Sequence, residues 1–321
     1  MPQKTIGTHN GTFHCDEALA VYLLTQTSKF ADAQIVRTRD SQVLATCDAV
    51  VDVGGVYDAD AYRFDHHQRG FEEVFSKHHT TKLSSAGLVY KHFGREIIAQ
   101  LLNLDEESVE TLYTKLYDDF VEALDAIDNG ISQYPKEVEP RYKDSTHLAA
   151  RVGRLNPWWN QPDTDLDARF HRAMALAGSE FTERVRYFGL AWLPAYDLVY
   201  QAVKQREAVD PQGKIVVLET PCPWKDHIYA IEEKLHLSTP ILYVLYPDTA
   251  NGNWRVQAVP VSNGSFESRK PLPESWRGCR DSELSEKTKL PGCVFIHASG
   301  FIGGHQTKDG ALALARKALE L

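Results

Sequence analysis

One stretch, residues 50–55, constrains the fold of this chain more than any other. It is an apolar run that ends in Asp52, Val53 and two glycines, which predicts a buried strand leading into a tight turn. Asp65, His66 and His67 follow soon after. Carboxylates combined with neutral imidazoles favour Mn²⁺, Zn²⁺ or Fe²⁺, whereas Mg²⁺ is satisfied by oxygen alone. The pattern therefore predicts a transition-metal site.

The first part of the chain alternates strand-like and helical segments. Strands are predicted at residues 5–9, 33–38 and 49–53, and a helix at residues 17–24. Strands that alternate with helices pair in parallel and form a doubly wound α/β sheet. In that architecture ligands collect beyond the carboxyl ends of the strands, so the predicted fold places the polar residues that follow each strand at one edge.

The length and the change of pattern along the chain predict two domains. The chain has 321 residues, of which 43% are apolar, enough for two hydrophobic cores. A helical region from about residue 167 meets Pro194, and beyond it most segments alternate as strands do. We therefore predict a metal-binding α/β domain at residues 1–195 and a smaller α/β domain at residues 196–321.

Composition excludes several classes of protein. The net charge of −9 argues against broad adhesion to nucleic acid or anionic membranes, which needs excess Lys and Arg. Five cysteines without a C-x-x-C pair do not form a disulfide framework and favour a reducing, intracellular compartment, the cytoplasm or nucleus. Neither a membrane span nor a signal or transit peptide is predicted, although a mitochondrial location stays open.

Further metal-ligating residues lie at the ends of predicted elements. Residues 9–16 carry His9, His14 and Asp16, and Asp128 follows a long helix predicted at about residues 106–127. Buried without partners, such clusters would cost folding free energy, and two divalent cations bridged by one carboxylate would offset that cost. Asp52 is the candidate bridge, since its strand is the most apolar. The alternative is a solvated polar rim on an ordinary α/β sheet.

A glycine-rich stretch near the carboxyl terminus suggests phosphate binding. Residues 299–305 are predicted to form a loop between a strand and the last helix, with backbone N–H groups able to contact a phosphate. The candidate substrate-binding residues are Ser299, Gly300, Gly303, Gly304 and His305. Trp224, Trp254 and Trp276 each precede a cation and are candidates to stack on RNA bases, with an ordinary core position as the alternative.

These motifs resemble those of the DHH phosphoesterase superfamily. The resemblance rests on Asp65-His66-His67, on Asp52 before two glycines, and on the histidines and aspartates described above. Within that superfamily, residues 8–18, 64–68 and 297–304 are similar to the melanocyte-proliferating-gene family, formerly uncharacterised protein family 0160. The resemblance covers nearly the whole chain, and it implies a DHH-like first domain.

The resemblance also implies a ligand set for two divalent metal ions. The implied ligands are His9, His14 and Asp52 for one ion, and Asp16, Asp52, His66 and Asp128 for the other. Mn²⁺ is expected, with Zn²⁺ and Mg²⁺ as alternatives. His14 stands where most of the superfamily has an aspartate, which removes one negative charge from the first site.

The activity implied by the resemblance is metal-dependent hydrolysis of phosphodiesters in RNA processing, by a 3′–5′ exoribonuclease. The candidate catalytic residues are Asp52, Asp65, His67 and Lys82, of which His67 and Lys82 would neutralise charge on the phosphate oxygens. Eukaryotic members are linked to the nucleus and mitochondria. A phosphodiesterase or pyrophosphatase for small nucleotides and a non-enzymatic metal-stabilised scaffold are the alternatives, and the sequence leaves the oligomeric state open.

Overall fold

The computed structural model describes residues 3–135, 137–161 and 165–321. The chain divides into two compact units, Met1–Gly189 and Leu190–Leu321. The sequence-based boundary, after residue 195, lies six residues further along the chain. Each unit contains one five-stranded sheet with helices, so the predicted α/β class is confirmed.

The first unit is built on a mainly parallel sheet. Its strands are β1 (Thr5–Thr8), β2 (Gln34–Arg37), β3 (Ala49–Val51), β4 (Tyr57–Asp58) and β5 (Arg63–Phe64). The order in the sheet is β2-β1-β3-β5-β4, and every pair is parallel except β4 with β5. The strand order reverses between β1 and β3, which is the switch point where α/β sheets bind their ligands. The predicted doubly wound, mainly parallel sheet is confirmed.

Seven α-helices are described in the first unit. They are α1 (Cys15–Thr25), α2 (Ser41–Thr46), α3 (Ser85–Leu101), α4 (Glu106–Leu116), α5 (Glu122–Asp128), α6 (Leu148–Gly153) and α7 (Leu166–Tyr187). A π-helical turn, Tyr117–Val121, joins α4 to α5, so the single helix predicted at residues 106–127 is interrupted. Within the described ranges, every helix is too short or too polar to cross a lipid bilayer.

Helix α1 lies at the centre of this unit. Nine of its eleven residues are buried, so it is apolar on all sides rather than amphipathic. It packs against α3 on one side and α7 on another. Because the helix is held in this way, the carboxylates of its first turn, Asp16 and Glu17, have fixed positions next to the end of β1.

The contact between α1 and α7 depends on Gly178. A Cβ at this position would lie 2.3 Å from Cδ2 of Tyr22, whose hydroxyl is 2.9 Å from that of Thr182. We expect Gly178→Ala to lower the free energy of unfolding by about 1–3 kcal/mol, although alanine favours helices. Urea unfolding measures this, with Gly153→Ala as the control, since a Cβ there meets nothing within 4 Å. Equal stability of both variants would contradict the prediction.

The second unit has a mainly antiparallel sheet. Its strands are β6 (Ile215–Val217), β7 (Tyr243–Pro247), β8 (Trp254–Ala258), β9 (Cys293–Ile296) and β10 (Ile302–His305). Its helices are α8 (Leu193–Lys204), α9 (Arg206–Val209), α10 (Lys225–Lys234), α11 (Asp281–Thr288) and α12 (Lys308–Glu320). The strand order is β6-β7-β8-β10-β9, with only β6 and β7 parallel. A π-helical turn, Phe188–Trp192, precedes α8, and a 3₁₀ turn, Glu274–Trp276, precedes α11.

The prediction of a glycine-rich loop at residues 299–305 is wrong for residues 302–305. Ile302–His305 is a strand that pairs with β8 and β9. A Cβ on Gly303 would lie 2.3 Å from Cδ1 of Ile296, and one on Gly304 would lie 2.8 Å from Nη1 of Arg255. These glycines therefore let side chains of the neighbouring strands pack over β10, a role that needs no phosphate.

The other residues of that prediction have separate positions. Ser299 and Gly300 lie in the hairpin turn between β9 and β10, where Gly300 has a φ of +75°. His305 is buried, with Nε2 2.9 Å from the carbonyl oxygen of Pro291. The substrate-binding role of these residues stays a prediction.

Two of the three tryptophans proposed to stack on bases belong to the hydrophobic core. Trp224 is 4% exposed and Trp276 is 2% exposed, each within a cluster of buried apolar side chains. Trp254 is partly buried and lies beneath the ammonium of Lys308 at 5.5 Å. The stacking interpretation is therefore wrong for Trp224 and Trp276, because neither indole presents a face to solvent.

Candidate metal centre

The candidate metal centre lies where three adjacent parallel strands end. His9 follows β1, Asp52 follows β3, and Asp65, His66 and His67 follow β5. Since the three strands are neighbours in the sheet, their carboxyl ends meet at one edge. The N-cap and first turn of α1 and the end of α5 supply the remaining side chains, which are His14, Asp16, Glu17 and Asp128.

Asp52 occupies the middle of the site in an unusual backbone conformation. Its φ is +57°, in the left-handed region, and its N–H donates to the carbonyl oxygen of Phe64 at 3.1 Å. The side chain is buried, with Oδ2 3.3 Å from Nε2 of His9 and Oδ1 3.2 Å from Nε2 of His66. Its two oxygens therefore face two different histidines, as a carboxylate shared by two cations would.

Histidine nitrogens and carboxylate oxygens that could bind a metal, here called ligand-type atoms, form several groups. The first group contains one residue that was not predicted from the sequence. His9, His14, Glu17 and Asp52 each place a ligand atom within 4.8 Å of the others. Glu17 Oε1 lies 3.1 Å from Nε2 of His9, and both Glu17 oxygens accept the backbone N–H of His14. In sequence Glu17 looks like an ordinary acidic residue of a first helical turn, and its position three residues after His14 was the only signal.

A second group surrounds His66. Asp16, His66 and Asp128 form one set of ligand-type atoms within 4.8 Å, and Asp52, His66 and His67 form another. Nε2 of His66 lies 3.2 Å from Oδ2 of Asp128. The structure thus brings together the residues predicted to bind the second ion, although Asp16 and Asp52 fall in separate sets. Their role as ligands stays a prediction.

Several buried atoms of the site lack hydrogen-bond partners, which tests whether cations fit. Among the described residues, Oδ1 of Asp16 is buried without a hydrogen-bond partner, and Oδ1 of Asp52 and Nε2 of His66 face each other at 3.2 Å without the geometry of a hydrogen bond. Buried polar atoms without hydrogen bonds are costly, and these belong to the two sets that share His66. Nδ1 of His9 lies 3.1 Å from the carbonyl oxygen of Asn10, which directs Nε2 towards the cluster. The donor set fits divalent transition metals.

The carboxylates and imidazoles strongly perturb one another's pKa values. Burial lowers the pKa of His9, but Asp52 and Glu17 outweigh it and raise the pKa to about 10. Burial likewise opposes the effect of Asp128 and Asp52 on His66, whose pKa is raised to about 9. Burial would raise the pKa of Asp52, yet His66 and His9 lower it to about 2. Burial and neighbouring carboxylates raise the pKa of Asp16.

These pKa values predict that metal binding releases protons. At pH 7 and without metal, His9 and His66 are both protonated, whereas a coordinated imidazole must be neutral. We expect about two protons to leave per protein at pH 7, and metal affinity to rise as pH increases towards 10. Calorimetric titration with Mn²⁺ in buffers of different ionisation enthalpy counts the protons, and His9→Ala should release about one fewer. Heats that do not depend on the buffer would contradict the prediction.

The same pKa values set the pH range over which these ion pairs stabilise the metal-free protein. Both folded-state values lie above 6.5, the ordinary value for histidine. The stabilisation is therefore complete between about pH 4 and pH 6.5 and is lost as pH rises through 9 to 10; because the pKa of Asp52 is lowered to about 2, it is also lost as pH falls from about 4 to 2.

Asp65 lines the same cavity and orients its neighbours. Its Oδ2 accepts the N–H of Gly55 at 2.5 Å, and its Oδ1 accepts the N–H of His66 at 2.8 Å. Oδ1 also lies 2.8 Å from Nδ1 of His67, whose side chain is 62% exposed. Asp65 therefore fixes the turn after β5 and the direction of the His67 ring, and its catalytic role stays a prediction.

The site opens into a cavity of about 920 Å³. Besides the ligand-type residues, its lining includes the cationic side chains of Lys82 and Arg39, together with Asn129, His147 and Gly153. Lys82 was predicted near the substrate, and its Nζ lies 5.4 Å from the ring centre of Phe71. Arg39 was not predicted, because an arginine before a short helix carries no distinctive sequence pattern.

A parallel sheet whose strand ends gather carboxylates and imidazoles around a shared aspartate is consistent with the DHH phosphoesterase superfamily. A model of the uncharacterised protein family UPF0160, labelled MYG1_exonuc, matches residues 5–319. The chain belongs to this family, which confirms the resemblance predicted from its motifs.

Individual relatives match this chain over most of their length. The human protein named MYG1 exonuclease is 55% identical over 327 aligned residues, which cover 99% of this chain and 86% of the relative. A MYG1 protein of Dictyostelium discoideum is 47% identical over 321 residues, covering 99% and 97%. A MYG1 protein of Schizosaccharomyces pombe is 49% identical over 321 residues, covering 98% and 97%.

Proposed function

We propose that this chain is a metal-dependent exonuclease that removes nucleotides from the 3′ end of RNA. The observation that carries the proposal is the position of Asp52, whose two carboxylate oxygens face His9 and His66 at 3.3 and 3.2 Å. The name of the human relative, MYG1 exonuclease, supports hydrolysis of nucleic acid. The choice of RNA and of the 3′ end rests on the family resemblance of the motifs.

The residues that would hold two divalent cations, with Mn²⁺ preferred, are His9, His14, Asp16, Glu17, Asp52, His66 and Asp128. Such ions, when bound, polarise a phosphate and lower the pKa of water. The chain itself supplies a fixed, largely buried set of oxygen and nitrogen atoms, so little reorganisation is needed during the reaction.

Three cationic or hydrogen-bonding side chains of the cavity would bind the phosphate. Asp65 engages Nδ1 of His67, which leaves Nε2 of that ring for a phosphate oxygen. Lys82 and Arg39 add positive charge to a cavity whose lining also includes aspartates. These groups favour the negative charge that grows on the phosphate oxygens as the bond breaks.

The test compares substrates with the purified protein in Mn²⁺. A 5′-labelled 12-nucleotide RNA should yield a ladder that shortens one nucleotide at a time from the 3′ end, faster than DNA of the same sequence. Release of the labelled 5′-terminal nucleotide as the first product would overturn the direction, and equal rates on DNA would overturn the preference for RNA. If only dinucleotides or pyrophosphate are hydrolysed, the exonuclease proposal fails.

A small-nucleotide phosphodiesterase is the second candidate. The cavity volume of about 920 Å³ lies within the range of about 300–1,000 Å³ that is typical of small-molecule sites. The same assay separates the two functions, because a phosphodiesterase would cleave a dinucleotide much faster than any terminal bond of the 12-nucleotide strand.

A further inference from the structure

Two adjacent tryptophans of the first unit are exposed to solvent. Trp158 has an exposed fraction of 69% and Trp159 one of 97%. Tryptophan is normally highly buried, and each indole offers about 150–250 Å² of surface for contact. The ligand-type residues of the metal centre do not account for this pair, so the two indoles need another explanation.

The loop that carries these tryptophans is tied down at several points. The side chain of Asn156 accepts the N–H of Phe13 at 3.0 Å and donates to its carbonyl oxygen at 2.8 Å. Arg169 of α7 donates to the carbonyl oxygen of Leu155 at 2.9 Å and to Oε1 of Gln161 at 3.2 Å. The indoles are thus displayed by a fixed backbone, which lowers the entropy lost when a ligand contacts them.

The same loop begins at the edge of the metal cavity. Gly153 lines the cavity, and its carbonyl oxygen accepts the backbone N–H of Asn156 at 3.2 Å. Asn156 bonds the backbone of Phe13, the residue before His14, which also lines the cavity. Two peptide units separate Asn156 from Trp158, a span of at most about 7.6 Å. The distance from the cavity to the tryptophans is therefore one that a few nucleotides of a strand can span.

We propose that Trp158 and Trp159 form a platform on which bases of a single-stranded nucleic acid stack while its end occupies the metal cavity. The inference rests on the proposed nuclease function and adds the surface that holds the strand. Stacking on aromatic side chains tolerates any base, as a nuclease that degrades a strand stepwise requires.

The size and charge of the surface favour this occupant over a protein. Two indoles offer at most about 500 Å², below the roughly 800 Å² per partner of a standard protein interface. Arg154, exposed next to the loop, and Arg39 of the cavity add positive charge for phosphates. Because the whole chain carries a net charge of −9, a strand must be held by local contacts of this kind.

The test measures binding separately from cleavage. A fluorescein-labelled 12-nucleotide RNA with phosphorothioate linkages, which slow hydrolysis, and an abasic strand with the same linkages are titrated in Mn²⁺ and followed by anisotropy. The double variant Trp158→Ala/Trp159→Ala should bind the RNA about 10- to 100-fold more weakly and the abasic strand as wild type does. Phe replacements should restore much of the affinity, and Phe266→Ala, which removes another exposed aromatic, should have no effect.

Any of the following results would contradict the proposed stacking role of Trp158 and Trp159. Equal RNA affinity of wild type and double variant, no RNA binding by wild type, or an equal loss on the abasic strand would do so. A changed oligomeric state in light scattering with unchanged RNA affinity would assign the indoles to a contact between copies. Failure of the nuclease proposal is seen separately, as a wild-type protein that binds RNA through these tryptophans and cleaves none.

Discussion

Replacement of Asp52 by Asn is expected to reduce kcat on RNA by at least about 10²–10³-fold with the fold retained. Asn keeps the shape of the side chain and, like Asp, tolerates the left-handed conformation with φ near +57°. It offers a single acceptor oxygen and no charge, so it cannot serve His9 and His66 symmetrically as the carboxylate does. Initial rates on the 12-nucleotide RNA and circular dichroism measure the two parts of this prediction.

Asp32→Asn is a matched control, since Asp32 is exposed and lies outside the cavity lining. It should leave kcat unchanged. If Asp52→Asn keeps its rate within about threefold of wild type, Asp52 is not part of the catalytic centre, and the non-enzymatic scaffold becomes the better interpretation of the metal site.

Removal of metal is expected to destabilise the first unit substantially. A ligand that binds only the folded state at about 1,000 times its Kd stabilises it by about 4 kcal/mol. For a unit of this size that corresponds to a rise of roughly 8–16 °C in Tm. Scanning calorimetry of EDTA-treated protein with added Mn²⁺, Zn²⁺ or Mg²⁺ measures the shift, and Mg²⁺ should give the smallest one because imidazoles are poor ligands for it.

Two histidine variants test whether the shift in Tm arises from the metal site. His66→Ala removes the atom shared by two groups of ligand-type residues and should abolish most of the shift. His171→Ala removes an exposed histidine of α7 and should preserve it. Without any shift in wild type, the cluster would be a hydrogen-bonded network and not a metal centre.

The sequence predicted the sheet and much of the candidate site because both follow from strong local signals. An apolar run that ends in Asp52 marked β3, a short strand was predicted before His9, and parallel pairing then placed His9 and Asp52 at one edge. Strand β5, which has only two residues, was not predicted, although the Asp-His-His run after it was recognised. That strand is too short to show any periodicity, so the polar residues after it carried the signal.

What the sequence did not predict depends on contacts between distant residues. Glu17 resembles any acidic residue of a helix start until His9 is placed 3.1 Å away. Gly303 and Gly304 looked like a loop because the reason for glycine, side chains of β8 and β9 lying over β10, is tertiary. The sequence pattern also does not show which tryptophan side chains are exposed to solvent. For this reason Trp224, which is buried, was a stacking candidate, and Trp159, which is exposed, was not.

Two independent requirements restrict which residue can occupy position 52. The backbone accepts few side chains there, since a positive φ disfavours nearly every residue except glycine, asparagine and aspartate. The proposed reaction needs a carboxylate on a short side chain, and of these three residues only aspartate provides one. Glutamate, the usual conservative exchange elsewhere, would cost roughly 1–2 kcal/mol in this backbone conformation and would carry its oxygens one methylene too far. Replacement of Asp52 by glutamate is therefore expected to lose the hydrolytic activity rather than alter it.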